Sequence, residues 1–254
     1  MTNAASVSKP RTLRIAVVIA AALSLVTCSR ESRSVDPYLE TVMIPAGSLL
    51  LGSRDERASR LPRRFDTEGF HLGRVEVTCG FFERYLRDVE TSNSWSHPQF
   101  EHRDGVLRAK NPAAPLAWVT QDEAQQFCDW LTLVSGQRAR LPSRDEWEYA
   151  ARGGIQGAMF PWGWSNPSTY SGDAAAPVFP ERARHRQNRY GLYDVSGGLA
   201  EWCSDAGSES GRAWAAGGSW ADRGPALHAV WSAVSLPDHY RDADTGFRIL
   251  LELK

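Results

Sequence analysis

The sequence predicts an α+β fold made of short strands, few helices and much irregular structure. Helices are indicated where a start signal precedes apolar residues at spacings of three and four. Short segments with alternating polarity indicate strands. The composition agrees, because ten Trp and 21 Gly are combined with few long apolar runs. Glycines allow tight turns, and aromatic rings fill the core of such an irregular fold.

Three helices are predicted from their N-terminal capping residues. Thr78 can cap the first helix, whereas the second and third begin with capping boxes formed by Thr120 with Glu123 and by Ser143 with Glu146. An apolar face follows each cap: Phe81, Phe82, Tyr85 and Leu86; Ala124, Phe127, Cys128 and Leu131; Trp147, Ala150 and Ala151. These patterns are typical of helices packed on a core by one side.

The predicted strands are short and lie on either side of the helices. Residues 42–52 are typical of a strand, a turn and a second strand, and the charged residues 53–66 of a loop. Alternation over residues 70–77 favours a half-buried strand. After Gly153 helical periodicity ends, and strands are predicted only at 215–220 and 246–251.

Length and charge restrict the functional classes. The chain has 254 residues, with 29 Lys and Arg against 30 Asp and Glu, which gives a net charge of −1. This balance provides no long-range attraction to nucleic acid phosphates or to anionic lipid. We therefore expect no nucleic-acid partner.

The N-terminus is predicted to be an export signal. A basic region is followed by an apolar run at 15–26, which is too short to span a bilayer comfortably. The run ends in Leu25-Val26-Thr27-Cys28, which resembles a bacterial lipobox, so Cys28 is the predicted lipidation site. The alternatives are an ordinary secretory signal and an uncleaved anchor with an incidental cysteine.

The predicted export signal sets the expected domain boundaries and the expected location of the protein. We expect a signal peptide with lipobox over 1–28, a tether over 29–37 and one folded domain over 38–254. The lipid anchor would hold the domain in the bacterial cell envelope, as an outer-membrane or surface lipoprotein.

Seven motifs occur in order along the chain. They are Met43-Ile44-Pro45-Ala46-Gly47 with Leu51-Gly52-Ser53; Glu76-Val77-Thr78; 115–130; 140–154, RLPSRDEWEYAARGG; 160–163, FPWG; 188–202, NRYGLYDVSGGLAEW; and 217–220, GGSW, with 246–248, GFR. In this order they resemble the motifs of the formylglycine-generating enzyme (sulfatase-modifying factor) family. One such match is weak evidence, but together they cover residues 43–250. The resemblance implies a variant C-type-lectin-like fold, often with bound calcium.

The resemblance also implies copper chemistry, and this chain departs from it. In active members a cysteine pair after the G-G-S motif binds copper as thiolates, which suit Cu(I) because they are polarisable. Counted onto this chain, these positions fall near Asp222 and Leu227, and no cysteine follows Cys203. A carboxylate and a leucine cannot replace two thiolates. We therefore expect neither copper nor formylglycine generation.

Calcium is a separate expectation that rests on the resemblance. In the family, the G-L-Y-D…E-W loop binds calcium. The resemblance maps its ligands onto the carbonyl groups of Ser196, Gly197 and Leu199 and the carboxylate of Glu201. Gly198 stands where the family has Asn. The alternative for Glu201 is a structural role, satisfying loop amides or pairing with an Arg. A second calcium loop of the family would map near 171–173.

The region between G-G-S-W and G-F-R is the predicted ligand-binding surface. In the family it lines the functional groove, and here it mixes aromatic with charged residues. The candidates are Trp220, Asp222, Arg223, His228, Trp231, His239, Tyr240, Arg241 and Asp244. Trp, Tyr and Arg dominate binding hot spots, although a solvated loop is the alternative.

Two functions remain open at this stage. The first is an envelope-anchored, non-catalytic module that binds a protein, peptide or glycan through this surface. The second is a divergent metal-dependent oxidase or periplasmic modification enzyme that uses His or carboxylate ligands. The cysteines have separate expectations. Cys128 is expected to be a buried, inert thiol, whereas Cys79 and Cys203 could form a disulfide after export.

Overall fold

A computed structural model describes residues 39–58, 60–89, 95–164 and 186–253, which belong to one compact unit, Asp36–Lys254. These ranges contain helices α1 (Cys79–Asp88), α2 (Gln121–Ser135) and α3 (Arg144–Ala151). Their strands are β1 (Thr41–Ile44), β2 (Gly47–Leu51), β3 (Arg63–Thr67), β4 (Phe70–Gly73), β5 (Phe100–Arg103), β6 (Val106–Ala109), β7 (Ala139–Arg140), β8 (Ala200–Ala206), β9 (Arg212–Ala216), β10 (Ala233–Pro237), β11 (Thr245–Gly246) and β12 (Leu250–Leu251). None of the described helices is long and apolar enough to cross a bilayer.

The helices begin at the predicted residues. The Thr78 side chain accepts a hydrogen bond from the amide of Phe81. Both capping boxes form, so that Thr120 and Ser143 each exchange hydrogen bonds with the residue three positions later. Each cap satisfies amides that the helix leaves unpaired and stabilises by about 1 kcal/mol. The three predicted helices are therefore confirmed.

The described strands form two four-stranded sheets and two hairpins. One sheet has the order β1-β4-β12-β7 and the other the order β10-β9-β8-β11, while β2 pairs with β3 and β5 with β6. The pairing of β11 with β8 is parallel and sets Gly246 beside Glu201. It joins the G-F-R motif to the E-W motif, and it therefore positions the candidate site.

Two apolar clusters form the core. In the first, Phe127 is fully buried and its ring lies 5.0 to 5.7 Å from those of Phe81, Phe82, Tyr85, Trp130 and Phe247. The second surrounds Trp147 of α3 and includes Leu72 and Leu250 of the first sheet. Aromatic rings thus supply much of the packing, as the composition predicted.

Some predicted strands were wrong or displaced. Residues 63–67 form β3 inside the predicted loop, because Phe65 packs on Tyr149 with ring centroids 5.8 Å apart while the arginines remain exposed. Residues 75–77 are not a strand, since the amide of Val77 bonds Phe247 while the Val77 carbonyl accepts from Leu116. The strand predicted at 215–220 lies earlier, at β9. Strands β5, β6, β7, β8 and β10 were not predicted.

Candidate functional site

The two ends of the predicted binding region meet in the folded chain. The indole Nε1 of Trp220 donates to the carbonyl of Ala243 at 3.1 Å. The amide of Ala200, at the start of β8, donates to the carbonyl of Asp244 at 2.9 Å. We call residues 220–223 and 238–244 the loop surface. It is therefore a continuation of the second sheet and not a detached loop.

The loop surface is acidic. Burial, followed by the charges of Asp242 and Asp222, raises the pKa of Asp244. Burial, and then the charges of Asp244 and Asp242, raises the pKa of Tyr240 to about 12. Arg241 does not neutralise the aspartates, because its Nη2 donates to Glu123 on α2 at 2.8 Å. The Tyr240 hydroxyl donates to Asp242 at 3.4 Å, and the charges of Asp222 and Asp244 act on it as well.

The predicted candidates divide between the surface and the interior. Arg223 and His239 are exposed, and His239 contacts Asp238 at 3.2 Å. His228 and Trp231 are buried, with only 4% and 7% of their surfaces accessible. The Nε2 atom of His228 lies 3.4 Å from the carbonyl oxygen of Asp222, and Trp231 faces the guanidinium of Arg152. His228 therefore contacts the loop surface from the interior, whereas Trp231 belongs to the second core cluster.

The positions that correspond to the family's copper thiolates offer no soft ligand. The carboxylate of Asp222 accepts hydrogen bonds from the amide and hydroxyl of Ser219, at 2.7 and 3.0 Å. Leu227 is an apolar side chain with 44% of its surface exposed. A hydrogen-bonded carboxylate beside a leucine does not fit Cu(I), which prefers thiolates.

The cysteines of the described residues are free thiols buried in the two core clusters. Burial raises the pKa of Cys79 to about 12 and raises the pKa of both Cys128 and Cys203 as well. Cys79 and Cys203 lie in different core clusters and form no disulfide. The thiols remain protonated and are therefore weak nucleophiles and weak metal ligands. Cys128 is inert, as predicted.

Glu201, the predicted calcium carboxylate, forms a buried ion pair with Arg248. The two side chains are 0% exposed, and the guanidinium donates to both carboxylate oxygens at 2.5 Å. Trp147 donates to one of these oxygens at 2.7 Å. This is the arginine pairing that the sequence left as the alternative. The carboxylate in this arrangement does not fit a calcium ion, because its oxygens already accept hydrogen bonds from the Arg248 guanidinium and the Trp147 indole.

A second buried carboxylate adjoins this loop and was missed from the sequence. Glu76 is 2% exposed, its Oε1 accepts from the amide of Leu199 at 3.3 Å, and its Oε2 has no hydrogen-bond partner among the described residues. Burial, with Asp194 and Glu201 nearby, raises the pKa of Glu76 to about 8. A Cβ atom on Gly198 would lie 2.4 Å from Oε1. The glycine at the family's Asn position, which leaves this room, was the available signal.

Only some of the predicted metal sites lie within the described residues. Within the described ranges, no group of three or more His, Cys, Asp or Glu is arranged to hold a metal ion. Calcium binding by the carbonyls of Ser196, Gly197 and Leu199 stays a prediction that a titration has to test. Cys28 and the second predicted calcium loop, near 171–173, lie outside the described residues.

Comparison with known families agrees with the motif order and the topology. A family described as the Sulfatase-modifying factor enzyme 1-like domain matches residues 28–253. This chain belongs to the sulfatase-modifying factor family. Its relatives include the inactive C-alpha-formylglycine-generating enzyme 2 of Mus musculus, 33% identical over 89% of this chain and 90% of that protein. The family resemblance drawn from the motifs is therefore confirmed.

Formylglycine-generating enzymes themselves are also similar to this chain. The enzyme of Mus musculus is 25% identical over 65% of this chain, and that of Bos taurus 27% identical over 66%. The chain spans 57% and 58% of the length of these two relatives. Activity is therefore not transferable from them by similarity alone.

Solved structures confirm the fold class. PvdO from Pseudomonas aeruginosa superposes with a TM-score of 0.70 at 22% identity, covering 84% of this chain and 94% of that one. Treponema denticola variable protein 1 gives a TM-score of 0.68 at 21% identity, with coverages of 84% and 95%. Such distant similarity shows the shared fold: few helices, small curled sheets and long irregular connections.

Proposed function

We propose that this chain is a non-catalytic binding module of an exported, lipid-anchored envelope protein, and that its loop surface binds a protein, peptide or glycan. One observation carries the proposal. The positions of the family's copper thiolates hold a carboxylate bound by Ser219 and an exposed leucine, while the chain keeps the fold of the family. A framework that is kept without its reactive sulfur atoms fits recognition better than oxidation.

The composition of the loop surface supports recognition. Trp220 and Tyr240 are partly buried and held in place by contacts with Ala243 and Asp242, so little side-chain entropy is lost when a partner binds. Asp222, Asp242 and Asp244 favour a partner that presents positive charge. The relative named inactive C-alpha-formylglycine-generating enzyme 2 is consistent with a non-catalytic member of the family.

The first experiment separates binding from oxidation. The full chain is incubated with copper and a cysteine-containing sulfatase peptide, and aldehyde formation is followed by mass spectrometry, with an active family member as the positive control. We expect no aldehyde. Conversion of the cysteine by this chain would refute the proposal. Stoichiometric copper or iron that is lost in Asp222→Ala would favour the alternative, a divergent oxidase.

The second experiment locates the binding surface in cells. A photo-crosslinking residue replaces Arg223, and in a matched variant it replaces Leu133, which is also exposed but lies on α2. We expect a discrete adduct from position 223 that is absent from position 133. Equal labelling at both positions, or none at 223, would contradict binding through the loop surface.

The anchor has a separate test. Cys28→Ser removes the proposed lipidation site and leaves the apolar run unchanged. We expect loss of labelling by a radioactive fatty acid and a shift from the membrane to the soluble fraction. Unchanged lipid labelling would exclude Cys28 as the site.

A further inference from the structure

A second cleft lies outside the loop surface and has the opposite charge. It is an open cavity of about 530 Å³ lined by Arg186, Gln187, Asn188, Arg189 and Tyr193. No Asp or Glu of the described residues lines it. The exposed guanidinium groups of Arg186 and Arg189 form no ion pair within the described ranges. Two arginines without carboxylate partners leave a local positive charge.

The floor of this cleft is fixed. The amide of the Asn188 side chain donates to the carbonyls of Ala150 and Ala151, at 2.7 and 3.1 Å. Its oxygen accepts from the backbone amides of Tyr190 and Leu192, at 3.0 and 3.1 Å. Asn188 is thus fully used as a brace between α3 and the turn. The arginines on either side of it project from a backbone that does not have to be ordered when a ligand binds.

The aromatic wall adds one unused donor. The guanidinium of Arg74, which is not among the residues that line the cleft, lies 5.3 Å from the centroid of the Tyr193 ring. The Tyr193 hydroxyl makes no hydrogen bond with the described residues. It is therefore available to donate to a ligand in the cleft.

The geometry points to an oxyanion site in this cleft, which takes the phosphate or sulfate group of a ligand between Arg186 and Arg189 beside Tyr193. Guanidinium groups bind such oxyanions with two parallel hydrogen bonds, and charge-assisted bonds of this kind are the strong ones. The site is distinct from the loop surface, which is acidic and repels anions. One protein would thus offer a cation-selective face and an anion-selective cleft.

The test uses inorganic phosphate and inorganic sulfate as probes, titrated into the full chain by calorimetry at low ionic strength. The double variant Arg186→Gln with Arg189→Gln should weaken binding by about tenfold or more, because two charge-assisted bonds are lost. The matched control, Arg54→Gln with Arg103→Gln, removes the same charge from exposed positions outside the cleft and should bind as the unmodified chain does. Tyr193→Phe should weaken binding by about threefold.

Vesicles identify the source of the anion. Phosphatidylcholine vesicles with and without phosphatidylglycerol are sedimented with each variant. Retention only with phosphatidylglycerol, lost in the cleft variant, assigns the site to a lipid headgroup; phosphate binding without vesicle binding assigns it to a soluble ligand. Equal phosphate binding by the cleft and control variants, or no saturable binding at all, would overturn the inference. Both double variants alter exposed side chains, and circular dichroism checks that they fold.

Discussion

The Glu201–Arg248 pair and the loop surface lie close together in the chain, but the environments of their charged groups are opposite. Both side chains of the pair are 0% exposed and each charged group meets its partner. A few residues earlier, Asp242 and Asp244 stand beside Asp222; all three are partly buried and form no ion pair within the described residues, since Arg241 is turned to Glu123. The contrast shows which charges belong to the framework. Buried, ion-paired charges fix the fold, whereas partly exposed charges without an ion pair remain free to meet a partner.

The largest effect should follow from breaking the buried pair. Arg248→Met leaves Glu201 charged, buried and without its two guanidinium contacts, which typically costs about 3–5 kcal/mol of unfolding free energy. Urea denaturation measures this loss. The control is the double variant Glu201→Leu with Arg248→Met, which removes both charges and should recover much of the stability. If Arg248→Met cost less than about 1 kcal/mol, the pair would not be part of the framework.

A second variant tests the glycine that replaces the family's Asn. In Gly198→Asn the new Cβ would lie 2.4 Å from the carboxylate of Glu76 and 2.9 Å from the carbonyl of Asp194. Overpacking a buried site of this kind costs about 3 kcal/mol at its upper end. Thermal unfolding, with and without calcium, measures the change. A stable variant that gains calcium-dependent stability would show instead that this loop retains the family's calcium geometry and only lacks the amide.

The framework also fixes the protonation state of His97. Its Nε2 donates to the carbonyl of Ala117 at 3.1 Å and its Nδ1 accepts from the amide of Gln99 at 3.2 Å, so the neutral ring is required. Burial lowers the pKa of His97 from 6.5 to about 4. Since the folded pKa lies below the unfolded one, the stabilisation is complete above pH 6.5 and is lost as the pH falls towards 4. At pH 5 the loss should be about 2 kcal/mol.

Urea midpoints between pH 5 and pH 7 measure this dependence. The raised pKa of Glu76 opposes this dependence over the same range, so the readout is the difference from the unmodified chain. His97→Gln should lose about 2 kcal/mol less between pH 7 and pH 5, whereas His102→Gln, a change at an exposed residue of β5, should follow the unmodified chain. A curve that is equally steep in His97→Gln would show that another group carries the pH dependence.

Local signals in the sequence predicted the helices well. A capping residue acts within one helical turn. Thr78, Thr120 and Ser143 therefore predicted helix starts, which the structure confirms. The family motifs predicted the fold class for the same reason, because each motif is short and their order is fixed. Sequence alone could not place β3 or β8, since their partners are set by tertiary contacts. Phe65 belongs to a strand because Tyr149 is beside it.

The candidate site shows the same division. The bracketing motifs predicted the loop surface and its aromatic residues, but burial within it was not visible, so His228 and Trp231 were counted among surface candidates. The pair of Glu201 with Arg248 joins residues 47 positions apart and was only an alternative. Glu76 belongs to the Glu76-Val77-Thr78 motif, but the motif indicates no role for its side chain. Pairings of this range depend on how the sheets close, which no local pattern encodes.

The smallest stability effect should come from the loop surface itself. Arg223→Ala and His239→Ala truncate exposed side chains, and the free energy of unfolding should change by less than about 0.5 kcal/mol for each. With the photo-crosslinking residue at position 223, the yield should instead decrease in Asp242→Asn, because this change removes one of the acidic charges that favour a cationic partner. Urea denaturation and crosslinking yield are measured on the same preparations. If these variants lost as much stability as Arg248→Met, exposed and buried charges would share one structural role, and the loop surface would have no claim to be a separate binding element.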